Sequence, residues 1–258
     1  MRPSPNATTL EWPSLAEPPP LENSQIHVWC ADLTDFQDEL GLFKSVLSPA
    51  ELARAEKFRF SIDRDAYAIR HGILRVVLGR YLEREPSSIE FCYGPHGKPE
   101  IESHFARDPV QFNDSHSRNL VLYAVSRACR IGVDIECVKP VPNLEEIAAR
   151  FFSQDETREL LDLPAELRTE AFYSCWTRKE AVLKATGAGI GEGVAHVRTP
   201  LNPSQEVEIL HVEESQARRD WQLRSLRPAK GYLAAVAYER ADLDLSLWSV
   251  RSPLCPGR

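Results

Sequence analysis

Three carboxylates carry the strongest chemical signal in this chain. Asp134 and Glu136 alternate with apolar residues in Ile131-Gly132-Val133-Asp134-Ile135-Glu136, so a strand would project both from one face. Two carboxylates on a mostly buried strand are costly unless something positive meets them. Arg or Lys partners are one answer. A hard divalent cation is the other, because Mg2+ takes carboxylate oxygens and keeps water and substrate phosphate as further ligands. Glu180 adds a third carboxylate, and such a set serves metal-assisted phosphoryl chemistry. Complementary charge comes from Arg54, Lys98 and His116, with Ser115 beside the histidine. Singly, each of these is an ordinary surface or hydrogen-bonded residue. Together, acids for a metal and bases for phosphates point to a phosphate-rich substrate. No GxxxxGK[ST] loop and no GxGxxG fingerprint is present, which argues against P-loop and Rossmann chemistry.

The elements that position these groups follow from local pattern. Phe172 to Gly189 is rich in helix formers in its second half, and Gly187 supplies a stop. On that helix Trp176, Glu180 and Lys184 fall on one face. An isolated Glu–Lys pair at this spacing is ordinarily a solvated surface pair, and Trp176 may be read equally as core packing. Leu120 to Val125 and Ile131 to Glu136 are two apolar β-rich runs with a short connection, which reads as a buried hairpin. Ser48, Pro49 and Glu51 form a capping-box helix start, and Asp65 to Leu82 predicts a long helix carrying Arg70, Arg75 and Arg80. Ile89 to Tyr93 predicts a strand, followed by a Gly-Pro turn over 94–99 that presents Lys98.

The second half repeats this pattern faintly. Phe152-Ser153-Gln154-Asp155-Glu156 resembles Leu47-Ser48-Pro49-Ala50-Glu51, and strands are expected at 207–212, 221–226 and 232–238. The expected organisation is therefore a proline-rich leader over 1–24, one half over 25–138, a second over 139–240 and a tail over 241–258 that is loose after Arg251. The leader holds six of the 19 prolines, and Lys139-Pro140-Val141-Pro142 connects the halves.

Composition sets the outer limits. A chain of 258 residues can bury a sizeable core, and a net charge of −7 argues against a general nucleic-acid binder. No apolar run reaches membrane-spanning length, and the N-terminus lacks the features of a secretory signal. The six cysteines show no metal-binding spacing and read as reduced, mostly buried thiols of a cytosolic protein.

Taken in order, three groups of residues resemble a known family. They are Gly132-Val133-Asp134-Ile135-Glu136, Phe151-Phe152-Ser153, and Trp176-Thr177-Arg178-Lys179-Glu180-Ala181-Val182-Leu183-Lys184. With Tyr93-Gly94, Gly97-Lys98-Pro99, Phe112-Asn113, Ser115-His116-Ser117 and Gly231-Tyr232, the chain resembles the 4′-phosphopantetheinyl transferases of the surfactin-synthetase-activating type. The resemblance spans roughly Ile26 to Tyr238.

It implies an α+β monomer made of a pseudo-twofold pair of similar subdomains, with coenzyme A in the cleft between them. Asp134, Glu136 and Glu180 are expected to hold Mg2+, or Mn2+ in its place, against the pyrophosphate. Lys184 is expected to assist the leaving group, and Glu180 to act as base. Asp134 also belongs to the coenzyme A site. His116 and Lys98 are expected at the 3′-phosphate and adenine end, with Ser115 and Arg54 nearby. The implied reaction transfers phosphopantetheine to a serine of apo acyl or peptidyl carrier proteins, with no nucleic-acid or membrane partner. Two departures stand out. Asp114 replaces an apolar residue common before Ser-His-Ser, and Glu51 occupies the place of a phosphate-contacting lysine, so that contact is not carried over. The competing readings are a non-catalytic coenzyme A or carrier-binding module and an unrelated phosphotransferase.

Overall fold

The computed structural model describes residues 12–14, 19–94, 97–102, 110–127, 129–188, 197–202, 207–214, 217–240 and 242–251. Most of the expected leader, the end of the tail and Cys255 lie outside the described residues. In chain order come β1 (Gln25–Asp32), a 3-10 turn at Leu33–Glu39, α1 (Leu40–Val46), α2 (Pro49–Ala55) and α3 (Ser61–Leu82). Four strands follow: β2 (Phe91–Tyr93), β3 (Pro99–Ile101), β4 (Gln111–Ser117) and β5 (Leu120–Ser126). The later part holds β6 (Ile131–Cys137), α4 (Leu144–Phe151), α5 (Gln154–Asp162) and α6 (Ala165–Thr186). It ends with β7 (Val207–Glu214), β8 (Ala217–Leu226), β9 (Tyr232–Tyr238) and β10 (Asp244–Ser249).

Two compact units are interleaved in the sequence. One gathers 12–112, 116–128 and the residues from 244 onward; its sheet runs β10-β1-β5-β4. Its core forms where α3 meets this sheet, with Ile69, Ile73 and Val77 packed in a cluster with Trp29, Tyr123 and Val125. The other gathers 113–115 and 129–243; its sheet runs β6-β9-β8-β7. The expected β5–β6 hairpin does not form. β5 pairs antiparallel with β1, whereas β6 pairs antiparallel with β9. Both runs are apolar enough for a central strand, and their partners are set by long-range packing rather than by the short connection. The segment expected as a tail supplies β10 before Arg251, and β10 pairs in parallel with β1.

The faint sequence repeat is a repeated structure. Each unit has the order strand, capped helix, 22-residue helix and antiparallel strands, and β1-β5-β4 corresponds to β6-β9-β8. Ser48 and Glu51 cap α2 reciprocally, as Ser153 and Glu156 cap α5. In both cases the capping glutamate also pairs with a buried cation from the following long helix. Glu51 meets Arg75 at 2.7 Å, and Glu156 meets Lys179 at 2.8 Å. Each pair clasps the start of a short helix to the middle of a long one.

Gly132 explains how α6 reaches the carboxylate face of β6. A methyl group there would overlap the Ala181 carbonyl and the Ala185 backbone. The helix therefore lies directly on the face that also carries Asp134 and Glu136. Opposite, Ile131, Val133 and Ile135 are fully buried. Gly132→Ala should cost about 1–3 kcal/mol by overpacking backbone against backbone. Urea unfolding measures it, and an unchanged midpoint would contradict this close approach.

Candidate functional site

The last turns of α6 set the site. Gly187 adopts a left-handed conformation (φ 76°) and ends the helix just beyond Lys184. Trp176 packs against Phe151 and Phe172, with centroid separations of 5.4 and 6.0 Å, so its role is core packing. That packing fixes the rotation of the helix and turns Glu180 and Lys184 toward β6.

Lys184 donates from Nζ to Asp134 Oδ1 and to Ser115 Oγ, both at 2.8 Å. Ser115 Oγ in turn donates to Asp134 Oδ1 at 2.9 Å. Asn113, two residues earlier on β4, accepts the Val133 N–H at 2.8 Å and ties this part of β4 to β6. Ser115 was expected near the 3′-phosphate; its observed bonds are to the carboxylate cluster. Glu136 lies two residues beyond Asp134, on the same face by strand periodicity.

Two carboxylate oxygens in this cluster are buried without a hydrogen-bond partner, Asp134 Oδ2 and Glu180 Oε1. Burial pushes the Glu180 pKa up, the Asp134 charge adds to this, and Lys184 opposes it, leaving it at about 7. An ionised carboxylate only accepts hydrogen bonds, so a cation or a proton must answer these orphan oxygens. Their hard-oxygen chemistry fits Mg2+. No group of three or more His, Cys, Asp or Glu stands gathered at metal-binding distance among the described residues.

The basic residues belong to the other unit. His116 is exposed, and its Nδ1 lies 2.7 Å from Arg70 Nη1. Arg54 is exposed in the last turn of α2. Lys98 is partly buried, and its carbonyl closes the turn by accepting the Gly94 N–H at 2.9 Å. Glu51 is buried, with Arg75 and His71 against its carboxylate. Burial works against its charge, but hydrogen bonds from His71, Arg75 and the Ser48 backbone prevail and hold its pKa at about 2. Asp114 is half-buried on β4. Sequence reasoning did not single out Arg70 and His71, which the structure places within hydrogen-bond distance of each other, with Arg70 also against His116. The available signal was Glu51 itself, a capping acid whose burial calls for positive charge nearby.

Comparison with known proteins adds an independent finding. The profile of the 4′-phosphopantetheinyl transferase superfamily matches residues 130–237, the stretch that holds Asp134, Glu136, Glu180 and Lys184. The chain is 38% identical to the 4′-phosphopantetheinyl transferase HetI of Nostoc sp. over 91% of its own length and 97% of that protein. It is 34% identical to the 4′-phosphopantetheinyl transferase psf-1 of Bacillus pumilus, covering 72% of this chain and 77% of that one. With the 4′-phosphopantetheinyl transferase Sfp of Bacillus subtilis it shares 29% identity over 80% of this chain and 88% of the relative.

Proposed function

Because the chain belongs to the 4′-phosphopantetheinyl transferase superfamily, we propose that it transfers the phosphopantetheine group of coenzyme A to a serine of apo carrier proteins. The hydroxyl oxygen forms a bond to the β-phosphorus as the pyrophosphate P–O bond breaks. The products are holo carrier protein and adenosine 3′,5′-bisphosphate. The observation that carries this reading is the Lys184–Asp134–Ser115 contact beside the orphan oxygens of Asp134 and Glu180.

Asp134, Glu136 and Glu180 would hold Mg2+, which supplies positive charge to the pyrophosphate when bound. Lys184 exchanges part of its bonding from Asp134 to the phosphate oxygens and stabilises the leaving group. Glu180, with its proton affinity raised toward neutrality, accepts the serine proton directly or through water. His116, Lys98 and Arg54 bind the 3′-phosphate and adenine end. Acyl and peptidyl carriers are both within this reading. So are a monomeric state and a cytosolic setting, the latter in keeping with cysteines that form no disulfide among the described residues. No described helix is long and apolar enough to cross a membrane.

Intact-mass analysis of apo acyl carrier and apo peptidyl carrier proteins, incubated with the protein, coenzyme A and Mg2+, tests the reaction. One phosphopantetheine should be gained, and a chelator should prevent the gain. No addition to either carrier would replace the transferase reading with that of a binding module.

A further inference from the structure

Arg70 and His71 are neighbours on α3, and neither has a role in the reaction as proposed so far. Their hydrogen bonds run in one direction. Arg70 Nη1 lies 2.7 Å from His116 Nδ1, and Arg70 Nη2 lies 3.2 Å from His71 Nε2. A guanidinium has donors and no acceptor, so both imidazole nitrogens must accept. His116 then keeps its N–H on Nε2. His71 keeps its own on Nδ1, which meets Glu51 Oε1 at 3.3 Å. Glu51 is fixed in turn by its capping bonds to Ser48 and its pairing with Arg75. Tyr67 stacks on the His71 ring at 4.0 Å and holds its plane. A polar chain therefore runs from the buried cap of α2 to the exposed His116 through one arginine.

We propose that Arg70 is a positioning and specificity-determining residue for the 3′-phosphate of coenzyme A, an inference that rests on the reaction proposed above. Arg70 holds His116 in the tautomer that offers an Nε2–H to an anion. It also puts a permanent positive charge next to that donor. Glu51 explains why this is needed. The resemblance sets a phosphate-contacting lysine at this place, whereas Glu51 puts an acid there whose charge is taken up by Arg75 and His71. A phosphomonoester that needs charge-assisted donors finds them in Arg70 and the histidine it orients.

The test compares coenzyme A with 3′-dephospho-coenzyme A as donors for the wild type, Arg70→Met and Arg70→Lys, each first shown to be folded by its melting curve. The wild type should prefer coenzyme A, mainly through KM. Arg70→Met should lose roughly ten-fold or more of that preference, with a much smaller change in kcat. Arg70→Lys should recover only part, because an ammonium lacks the planar fork that spans both imidazoles. In the wild type, ring 15N NMR should find the His116 proton on Nε2. A proton on Nδ1, or an unchanged preference in folded Arg70→Met, would overturn the assignment of Arg70. Wild-type protein that transfers nothing from coenzyme A would overturn the reaction itself, which is a different result.

Discussion

Glu180→Gln should abolish transfer, by about a thousand-fold or more, while leaving the protein at least as stable as the wild type near neutral pH. The loss in rate follows from removing both a cation ligand and the proposed base. The stability follows from the electrostatics of the carboxylate cluster. Glu180 is buried beside Asp134, and its Oε1 has no hydrogen-bond partner. Folding raises its pKa from the ordinary 4.5 to about 7, with burial the first cause and Asp134 the second. Between those pH values the folded state holds a proton that the unfolded chain has released. The contribution of this group is therefore complete below about pH 4.5 and is lost as the pH climbs through 7, a change of about 3 kcal/mol. Glutamine carries no charge, so the variant should lack this decline. Urea midpoints of the two proteins from pH 5 to pH 8 measure the difference. Parallel curves would remove the electrostatic account, and near-normal turnover would remove Glu180 from the site. Mg2+ should raise the wild-type melting temperature more at pH 8 than at pH 6, because it binds the ionised carboxylate. It should do little for the variant.

What could be read in advance was what depends on near neighbours. The capping boxes at Ser48–Glu51 and Ser153–Glu156 span three residues, and the sequence shows both directly. The alternation over 131–136 and the helical spacing of Glu180 and Lys184 assign the right side chains to one cluster for the same reason. Partner choice was not legible. β5 and β6 are adjacent in sequence and each carries an apolar face, yet each finds a more distant strand. β10 alternates acceptably, with Leu245 and Leu247 separated by Ser246, but its position near the terminus suggested a tail. The family resemblance places Ser115 near the 3′-phosphate end, beside His116. Strand periodicity puts adjacent side chains on opposite faces, so Ser115 bonds Asp134 while His116 bonds Arg70. The faint repeat was real, but its strongest evidence is two long-range ion pairs that no local comparison contains.

Lys179→Met should destabilise the protein by about 3–5 kcal/mol. Although Lys179 adjoins Glu180 in the motif, the two serve different parts of the structure. Lys179 is fully buried, 2.8 Å from Glu156 Oε2, and also donates to the Val197 carbonyl; its Nζ lies 5.4 Å from the centre of the Phe152 ring. Glu156 caps α5 and accepts the Thr199 N–H at 2.9 Å. Truncating the lysine leaves that carboxylate charged, buried and without its cation, which accounts for most of the cost. Replacing Glu156 as well should recover part of the loss, so Lys179→Met with Glu156→Gln should be less destabilised than the sum of the single changes. The folded fraction of Lys179→Met should retain far more transfer activity than Glu180→Gln, because the lysine holds the helix and the glutamate is the proposed base. A double-mutant cycle by urea unfolding, with intact-mass rates on the folded protein, tests both statements. Strict additivity would deny the clasp. A stable Lys179→Met protein as inactive as Glu180→Gln would move Lys179 into the reaction.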